Sequence, residues 1–302
     1  MRIILIGQAA FAEKVLDGLR DRAHDVVAVY CPPDVAPGKV DPVKARGQAL
    51  GVPVRQHASL KGPTVQREFA SLKADLGVMA YVTQIVPLAI IATPRLGSIC
   101  FHPSLLPKYR GGSAIPWQII KGETRTGVSV FWADAGIDTG PVLLQKEAII
   151  SADDTAASLY YQTLFPLGVE VVLSAVDLIA ADKAPRVTQD ETRSSYDPLC
   201  RDEHAEINWS RPVGEVYNLI RGCDPQPGAF VVHNGQKVRC YEARRDERGD
   251  LPPGYVGDID EKGIRVGCQG GSIRVARLRV GDKKMAAREA AEAIGLRRGR
   301  SF

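Results

Sequence analysis

The 302-residue chain contains few cysteines and few aromatic residues: six cysteines, with Phe, Trp and Tyr together at 6%. No two cysteines form a CxxC or another metal-binding spacing, which excludes a disulfide-stapled miniprotein and a cysteine-based zinc site. We therefore expect reduced thiols and no metal. Uninterrupted apolar runs also fall short of the roughly 18 residues that span a bilayer, so no membrane partner is expected.

The beginning of the chain has no pattern of a signal peptide. Met1 and Arg2 are followed at once by a strand-like apolar run that ends at Gly7, without a small-residue cleavage site. We therefore expect a cytoplasmic protein. Apolar residues make up 45% of the chain and charged residues 25%, which excludes wholesale disorder, and the length accommodates two domains.

Positive charge is concentrated in the C-terminal third. Residues 211–302 contain 18 Lys and Arg against 12 Asp and Glu, whereas residues 1–210 have a small acidic excess. A basic region is compatible with an anionic partner. The excess is nevertheless modest beside that of dedicated nucleic-acid modules, and it fits a solvated surface equally well.

The N-terminal half has the alternating pattern of an α/β fold. Apolar runs over 2–7 and 26–30, separated by apolar residues at helical spacing, predict a β-α-β unit with parallel strands. Three more buried-strand candidates follow, at 75–80, 97–101 and 128–132. The pattern favours an open, mostly parallel sheet. The turn after the first strand lacks GxGxxG, so we do not expect an NAD site.

The C-terminal half has a different pattern. One long helix is predicted between Asp153 and Ala181, capped by Asp153 or Asp154 and kinked at Pro166. Residues 187–206 are polar without periodicity and indicate a linker. Five short β-prone runs separated by glycine turns then predict a small β-rich, OB-like module, at 229–232, 238–241, 254–258, 263–266 and 272–278.

His102 and Asp138 are the candidate catalytic pair. His102 follows the strand at 97–101, and Asp138 lies thirty-six residues later, in the loop after the strand at 128–132. If both strands are parallel, both residues lie at the edge where open α/β sheets bind ligands. An imidazole and a carboxylate form a plausible acid–base pair. From the residues alone, a structural histidine and a turn-forming aspartate stay open as alternatives.

The two segments resemble the signature of an enzyme superfamily. HPSLLPKYRG from His102 and GVSVFWADAGIDTGPVLLQ from Gly127 are similar to the 10-formyltetrahydrofolate-dependent formyltransferases. The chain most resembles the hydrolase domain of 10-formyltetrahydrofolate dehydrogenase and is also similar to methionyl-tRNA formyltransferase, over nearly its whole length. The resemblance implies a Rossmann-like formyltransferase domain over 1–188, a linker over 189–206 and a β-rich C-terminal domain over 207–302.

The resemblance also implies the roles of individual residues. It makes His102 the group that stabilises charge on the formyl oxygen, and Asp138 the group that orients and deprotonates the nucleophile. The implied substrate is 10-formyltetrahydrofolate, as formyl donor. Donor binding falls to the loop at 81–87 and to the segment before Asp138, with Tyr81, Gln84, Ile85, Val86, Asp134 and Ala135 at the matching positions. For the loop residues, ordinary loop packing is the alternative.

Cys100 departs from the pattern of the transferases, which have an asparagine at this position that helps to hold the oxyanion. A thiol is a poor hydrogen-bond donor. Losing one such donor costs on the order of 10²–10³ in rate. The hydrolase domain of the dehydrogenase also lacks this asparagine, in agreement with the closer resemblance. We expect Cys100 to be a buried, inert thiol rather than a nucleophile.

The acceptor of the formyl group is left open. Methionyl-tRNA formyltransferases have a basic insertion after the second strand, whereas the matching segment here, 31–44, contains two lysines and two aspartates. This near-neutrality disfavours tRNA, because affinity for nucleic acid rests on phosphate neutralisation. Water, a small amine, an amino sugar and methionyl-tRNA remain as acceptors. A folate-binding module with little catalysis is a further hypothesis.

Overall fold

The computed structural model describes residues 1–34, 38, 40–246 and 248–302. They form two compact units. The first unit comprises Met1–Gly112, Gly127–Ala148 and Gln162–Tyr196, and the second comprises Ser113–Thr126, Ile149–Tyr161 and Asp197–Phe302. This division follows packing rather than chain order, so the contiguous domain boundaries drawn from the sequence stay a prediction.

A seven-stranded sheet forms the centre of the first unit. Its strands are β1 (Arg2–Gly7), β2 (Asp25–Cys31), β3 (Val54–Gln56), β4 (Leu76–Ala80), β5 (Ser98–His102), β6 (Arg125–Trp132) and β7 (Val142–Ile149). The order across the sheet is β3-β2-β1-β4-β5-β6-β7, and the first five of these strands are parallel. The predicted α/β class with a mostly parallel sheet is confirmed.

Helices connect the parallel strands. They are α1 (Ala9–Asp21), α2 (Pro42–Ala49), α3 (Pro63–Ser71) and α4 (Leu88–Ile91). Strands β1 and β4 are buried along nearly their whole length, because a parallel sheet is covered on both faces, and this is why they are continuous apolar runs. Helix α1 buries one stripe at helical spacing, with Phe11, Val15 and Leu19 in the core.

The turn between β1 and α1 is held by the chain's own carboxylate. Gly7 is required there, because a Cβ would lie 2.1 Å from the carbonyl oxygen of Ala80. Ala9, the first residue of α1, has φ +58° and donates its N–H to both carboxylate oxygens of Asp41, each at 3.0 Å. Asp41 also caps α2. Within the near-neutral segment 31–44, residues 35–37 and 39 lie outside the described residues.

The long helix predicted between 153 and 181 is built in three parts: α5 (Ala156–Ser158), a π-helical segment (Leu159–Leu164) and α6 (Phe165–Ala180). The predicted aspartate cap is wrong. Thr155 caps the helix, because its hydroxyl accepts from the Ser158 N–H in a capping box. By length and hydropathy alone, 156–180 could cross a membrane, yet α6 buries a row of apolar residues as a core helix does.

The second unit contains a six-stranded sheet. Its strands are β8 (Phe230–His233), β9 (Gln236–Asp246), β10 (Val256–Asp260), β11 (Gly263–Cys268), β12 (Gly271–Val280) and β13 (Lys283–Ala286), in the antiparallel order β10-β11-β12-β9-β8 with β13 beside β12. Helix α5 also belongs to this unit, with α7 (Ala114–Ile120), α8 (Val213–Gly222) and α9 (Ala287–Ile294). The predicted β-rich module is confirmed, with β13 as a sixth strand that the sequence did not indicate.

Candidate active site

His102 occupies the last position of β5 and is buried. Its Nε2 lies 2.7 Å from the carbonyl oxygen of Tyr109. A carbonyl only accepts, so Nε2 carries a proton and donates it. The other ring nitrogen, Nδ1, faces the Oδ2 atom of Asp138 at 3.4 Å. The two predicted catalytic residues therefore lie side by side within the first unit.

A backbone N–H also holds the Asp138 side chain in place. Its Oδ2 accepts the N–H of Gly111 at 2.8 Å, and its own backbone adopts a positive φ of +56°. The carboxylate of Asp138 therefore lies between the backbone N–H of Gly111 and Nδ1 of His102.

The route by which Asp138 reaches His102 differs from the prediction. Both residues were expected after parallel strands, but β6 is antiparallel to β5, with Ile99 opposite Trp132 and His102 opposite Ser129. The prediction was wrong because an apolar run does not record the direction of a strand. The loop after β6 begins beside the start of β5, and it returns the Asp138 side chain to the end of β5.

Cys100 lies on the same face of β5 as His102, because side chains two residues apart in a strand point the same way. It is partly buried, and its Sγ lies 3.5 Å from the carbonyl oxygen of Phe101. Burial, and secondly the negative charge of Asp138, raise the pKa of the Cys100 thiol. A thiol in this state is protonated and a poor nucleophile.

The loop after β4 presents apolar side chains to solvent. Ile85 is 71% exposed and Tyr81 is 44% exposed, with a positive φ at Tyr81. Ordinary loop packing does not account for Ile85. Val86, in contrast, is buried in a core cluster, and Gln84 is half-buried. Of the loop residues predicted to bind the donor, Tyr81 and Ile85 are therefore exposed, Gln84 is half-buried, and Val86 is part of the core.

One core cluster joins this loop to the rest of the site. Val82 from the loop, Cys100 from β5 and Ala133 from the start of the Asp138 loop all pack against the cluster that contains Met79 and Val86. The three segments with predicted site residues thus share one support. They meet within the first unit.

Asp134 is a turn-former in this structure. Its Oδ1 accepts from the N–H of Gly136 at 3.0 Å and from the hydroxyl of Thr139 at 2.7 Å, while Ala135 is exposed. The side chain of Asp134 shapes the loop that presents Asp138. Any contact of these two residues with a ligand stays a prediction.

Gln189 is a buried site residue that the sequence did not indicate. Its Nε2 donates to the carbonyl oxygens of Asp138 at 2.8 Å and Gly140 at 2.7 Å, and its Oε1 accepts from Arg110 Nη2 at 2.8 Å. Arg110 follows the histidine loop and also pairs with Glu191 at 2.6 Å. Gln189 and Arg110 therefore connect the loop of His102 to the loop of Asp138.

The segment around Gln189 was predicted as a linker. It also holds the histidine loop, because Ser195 accepts the N–H of Tyr109 at its hydroxyl and the N–H of Arg110 at its carbonyl oxygen. Polar composition without periodicity gave no signal for these contacts. Only the three-dimensional position of Arg110 explains why a glutamine is buried there.

The fold and the paired residues define a class of protein, and comparison with known families agrees with it. A family model described as formyl transferase matches residues 1–176, and one described as the formyl transferase C-terminal domain matches residues 200–294. The chain belongs to the formyl transferase family.

Curated relatives fall into two groups. Human cytosolic 10-formyltetrahydrofolate dehydrogenase is 41% identical over 259 residues, covering 84% of this chain and 29% of the relative. The mitochondrial 10-formyltetrahydrofolate dehydrogenase of Mus musculus is 39% identical, covering 94% of this chain and 32% of the relative. The chain thus spans about a third of these proteins. Methionyl-tRNA formyltransferase of Geotalea uraniireducens is 36% identical, covering 94% and 92%.

Solved structures share the fold at lower identity. HypX from Aquifex aeolicus, in complex with tetrahydrofolic acid, has a TM-score of 0.72 at 20% identity, covering 97% of this chain and 47% of that one. The N-formyltransferase of Helicobacter canadensis, in complex with folinic acid and dTDP-3-aminofucose, has a TM-score of 0.71 at 20% identity, covering 90% and 98%.

Proposed function

We propose that this chain transfers the formyl group of 10-formyltetrahydrofolate to water, releasing formate and tetrahydrofolate. The observation that carries the proposal is the His102–Asp138 pair, with Nδ1 and Oδ2 3.4 Å apart at the end of β5. Family membership supports formyl transfer as the reaction. The two dehydrogenases above, at 41% and 39% identity, support the folate donor.

In the proposed reaction the water oxygen attacks the formyl carbon on N10. Negative charge then builds on the formyl oxygen, where the positive charge of the His102 imidazolium stabilises it. Asp138 accepts the proton that the attacking water loses. The bond between carbon and N10 breaks, N10 takes up the proton that Asp138 received, and the carbon leaves as formic acid, which ionises to formate. The exposed Tyr81 and Ile85 provide an apolar surface for the pterin ring, and Gln84 lies between them in the same loop.

Water is favoured over tRNA by charges at the segment 31–44. In the described part of that segment, the cation Lys44 forms an ion pair with Asp34, and Asp41 is used by the β1–α1 turn. Little positive charge is left there for a phosphate backbone. Cys100, in place of an oxyanion-holding asparagine, also agrees with a hydrolase. We place the reaction in the cytoplasm as part of the same proposal.

The second candidate is methionyl-tRNA formyltransferase. It is favoured by the Geotalea uraniireducens protein, which aligns with 94% of this chain over 92% of its own length. It calls for tRNA binding that weakens steeply with salt, because phosphate contacts release counterions. A folate-binding module with little turnover remains a third hypothesis, since Cys100 is a poor oxyanion donor.

A product assay distinguishes these candidates. Purified protein is incubated with 10-formyltetrahydrofolate alone, with charged initiator tRNA, or with a nucleotide-linked amino sugar, and formate, tetrahydrofolate and formylated acceptor are measured. We expect formate and tetrahydrofolate in equal amounts without any acceptor. Formylated tRNA with little formate would replace the leading proposal by the second candidate. Tight folate binding without any product would favour the third.

Two substitutions test the residues within that assay. His102→Ala and Asp138→Ala are each expected to reduce formate release by at least a factor of about 10² while folate binding is retained. Full activity in either folded variant would remove the assigned mechanism.

A further inference from the structure

Two cysteines of the second unit lie against each other. Sγ of Cys200 is 4.0 Å from Sγ of Cys223. Cys200 precedes a short 3₁₀ helix, Asp202–His204, and its N–H donates to the hydroxyl of Ser113. Cys223 follows α8, with its N–H bonded to the carbonyl oxygen of Leu219. The contact is tertiary, and both backbones are held by hydrogen bonds.

The two thiols differ in access. Cys223 is fully buried, at 0% exposure. Cys200 is partly exposed and lines a cleft of about 510 Å³, together with Arg201, Asp202 and Pro227. A small reagent that enters the cleft therefore reaches Cys200 first, and Cys223 lies directly behind it.

The six cysteines, all of which the structure describes, also differ in the pKa of their thiols. Burial raises the pKa of Cys31 to about 11 and that of Cys268 to about 12, and it also raises the pKa values of Cys100 and Cys240. At Cys200 the hydrogen bond from the Cys223 thiol lowers the pKa. Cys200 is thus the cysteine with both access and the greater thiolate character.

We propose that Cys200 and Cys223 form an oxidisable dithiol that takes a hydroperoxide as its oxidant. The Cys200 thiol gives up its proton, its thiolate attacks the terminal peroxide oxygen, the O–O bond breaks, and the alcohol or water leaves with that proton. Cys200 is then a sulfenic acid. Sγ of Cys223 attacks the sulfur of Cys200, the S–O bond breaks, and water leaves with the Cys223 proton. The two sulfurs lose two electrons, and the peroxide gains them.

The geometry suits the second step. To form a disulfide, the two sulfurs need to approach from 4.0 Å to a bond length of about 2.05 Å. The product would join the segment before the 3₁₀ helix to the end of α8, both within the second unit. The dithiol does not depend on the proposed formyl transfer, since neither cysteine belongs to the His102–Asp138 site.

The test uses the full chain in its folded state. After graded exposure to hydrogen peroxide, free thiols are counted and peptides are mapped by mass spectrometry. We expect the loss of two thiols per chain, a linked peptide pair that contains 200 and 223, and full reversal by dithiothreitol. Cys268→Ser, a matched control at a buried cysteine outside the pair, should leave this result unchanged.

Two variants separate the steps. Cys223→Ser should stop at the sulfenic acid of Cys200, which dimedone labels, and Cys200→Ser should abolish the reaction at both positions. The proposal is overturned if wild-type protein loses its thiols without a 200–223 linkage, or if another cysteine is oxidised as fast as Cys200. It is also overturned if Cys200→Ser leaves the peroxide-dependent thiol loss intact.

Discussion

Replacing Gln189 by leucine should separate the support of Asp138 from the binding of the donor. The change removes both hydrogen bonds that Gln189 donates to the carbonyl oxygens of Asp138 and Gly140, and the two that it accepts from Arg110. Each buried polar group left unpaired costs about 1–3 kcal/mol. With two carbonyls affected, we expect the free energy of unfolding to fall by about 2–6 kcal/mol.

The effect on catalysis follows from the position of Asp138. A displacement of about 1 Å at a catalytic group costs about 10² in rate. We therefore expect kcat for formate release from Gln189→Leu to fall by about 10². KM for 10-formyltetrahydrofolate should change little, because Gln189 makes no hydrogen bond to the loop at 81–87. Steady-state kinetics at a temperature where circular dichroism shows folded protein provide the measurement.

Two further variants test the positioning role of Gln189. Gln189→Glu keeps a partner for Arg110, so its free energy of unfolding should fall less than that of Gln189→Leu. Its carboxylate cannot donate to the carbonyl oxygens, so kcat should still fall. Glu191→Gln is the control: Glu191 contacts the same guanidinium but is 65% exposed, so this variant should keep nearly the stability and the rate of wild type. A folded Gln189→Leu protein with kcat within threefold of wild type would refute the positioning role.

Three predictions concern the stability of the fold. Gly140→Ala should destabilise the protein by about 1–3 kcal/mol and slow formate release, because a Cβ would lie 1.8 Å from the carbonyl oxygen of Trp132. Gly214→Ala, in open space within α8, should instead stabilise it by about 0.5–1 kcal/mol. Equal Tm shifts in the two variants would contradict this. Thr155→Ala should cost about 1 kcal/mol in urea unfolding through loss of the helix cap, and an unchanged midpoint would count against the cap. Burial raises the pKa of Asp224, so the folded state holds the carboxyl proton more tightly, and stability decreases as pH rises from the ordinary pKa through the raised one. In urea melts, Asp224→Asn should therefore gain stability relative to wild type across that pH window. A difference that does not depend on pH would contradict this.

The sheet of the first unit could be predicted from periodicity, and the direction of β6 could not. Buried parallel strands are continuous apolar runs, and the helices between them have apolar residues at helical spacing. This pattern predicts β1, α1 and β2. The run at 128–132 carries the same apolar signal in either direction, so the prediction of a parallel strand there is wrong. Strand β13 was missed because its sequence, KKMA, has one buried residue in four.

The His102–Asp138 pair could be predicted from the sequence, and its support could not. His102 and Asp138 stand in long motifs whose resemblance to a family is specific. Gln189 stands in a polar stretch, and its role depends on Arg110, 79 positions earlier in the chain. Nothing in the local composition distinguishes a buried glutamine that holds a loop from a solvated one in a linker.

The most direct test of the central claim is a double-mutant cycle on formate release with His102→Ala, Asp138→Ala and the double variant. If the imidazolium and the carboxylate act as one unit, the double variant should be no slower than the slower single variant, because either change removes the function of the pair. Rate losses that multiply in the double variant would show two independent groups and would contradict catalysis by a coupled pair.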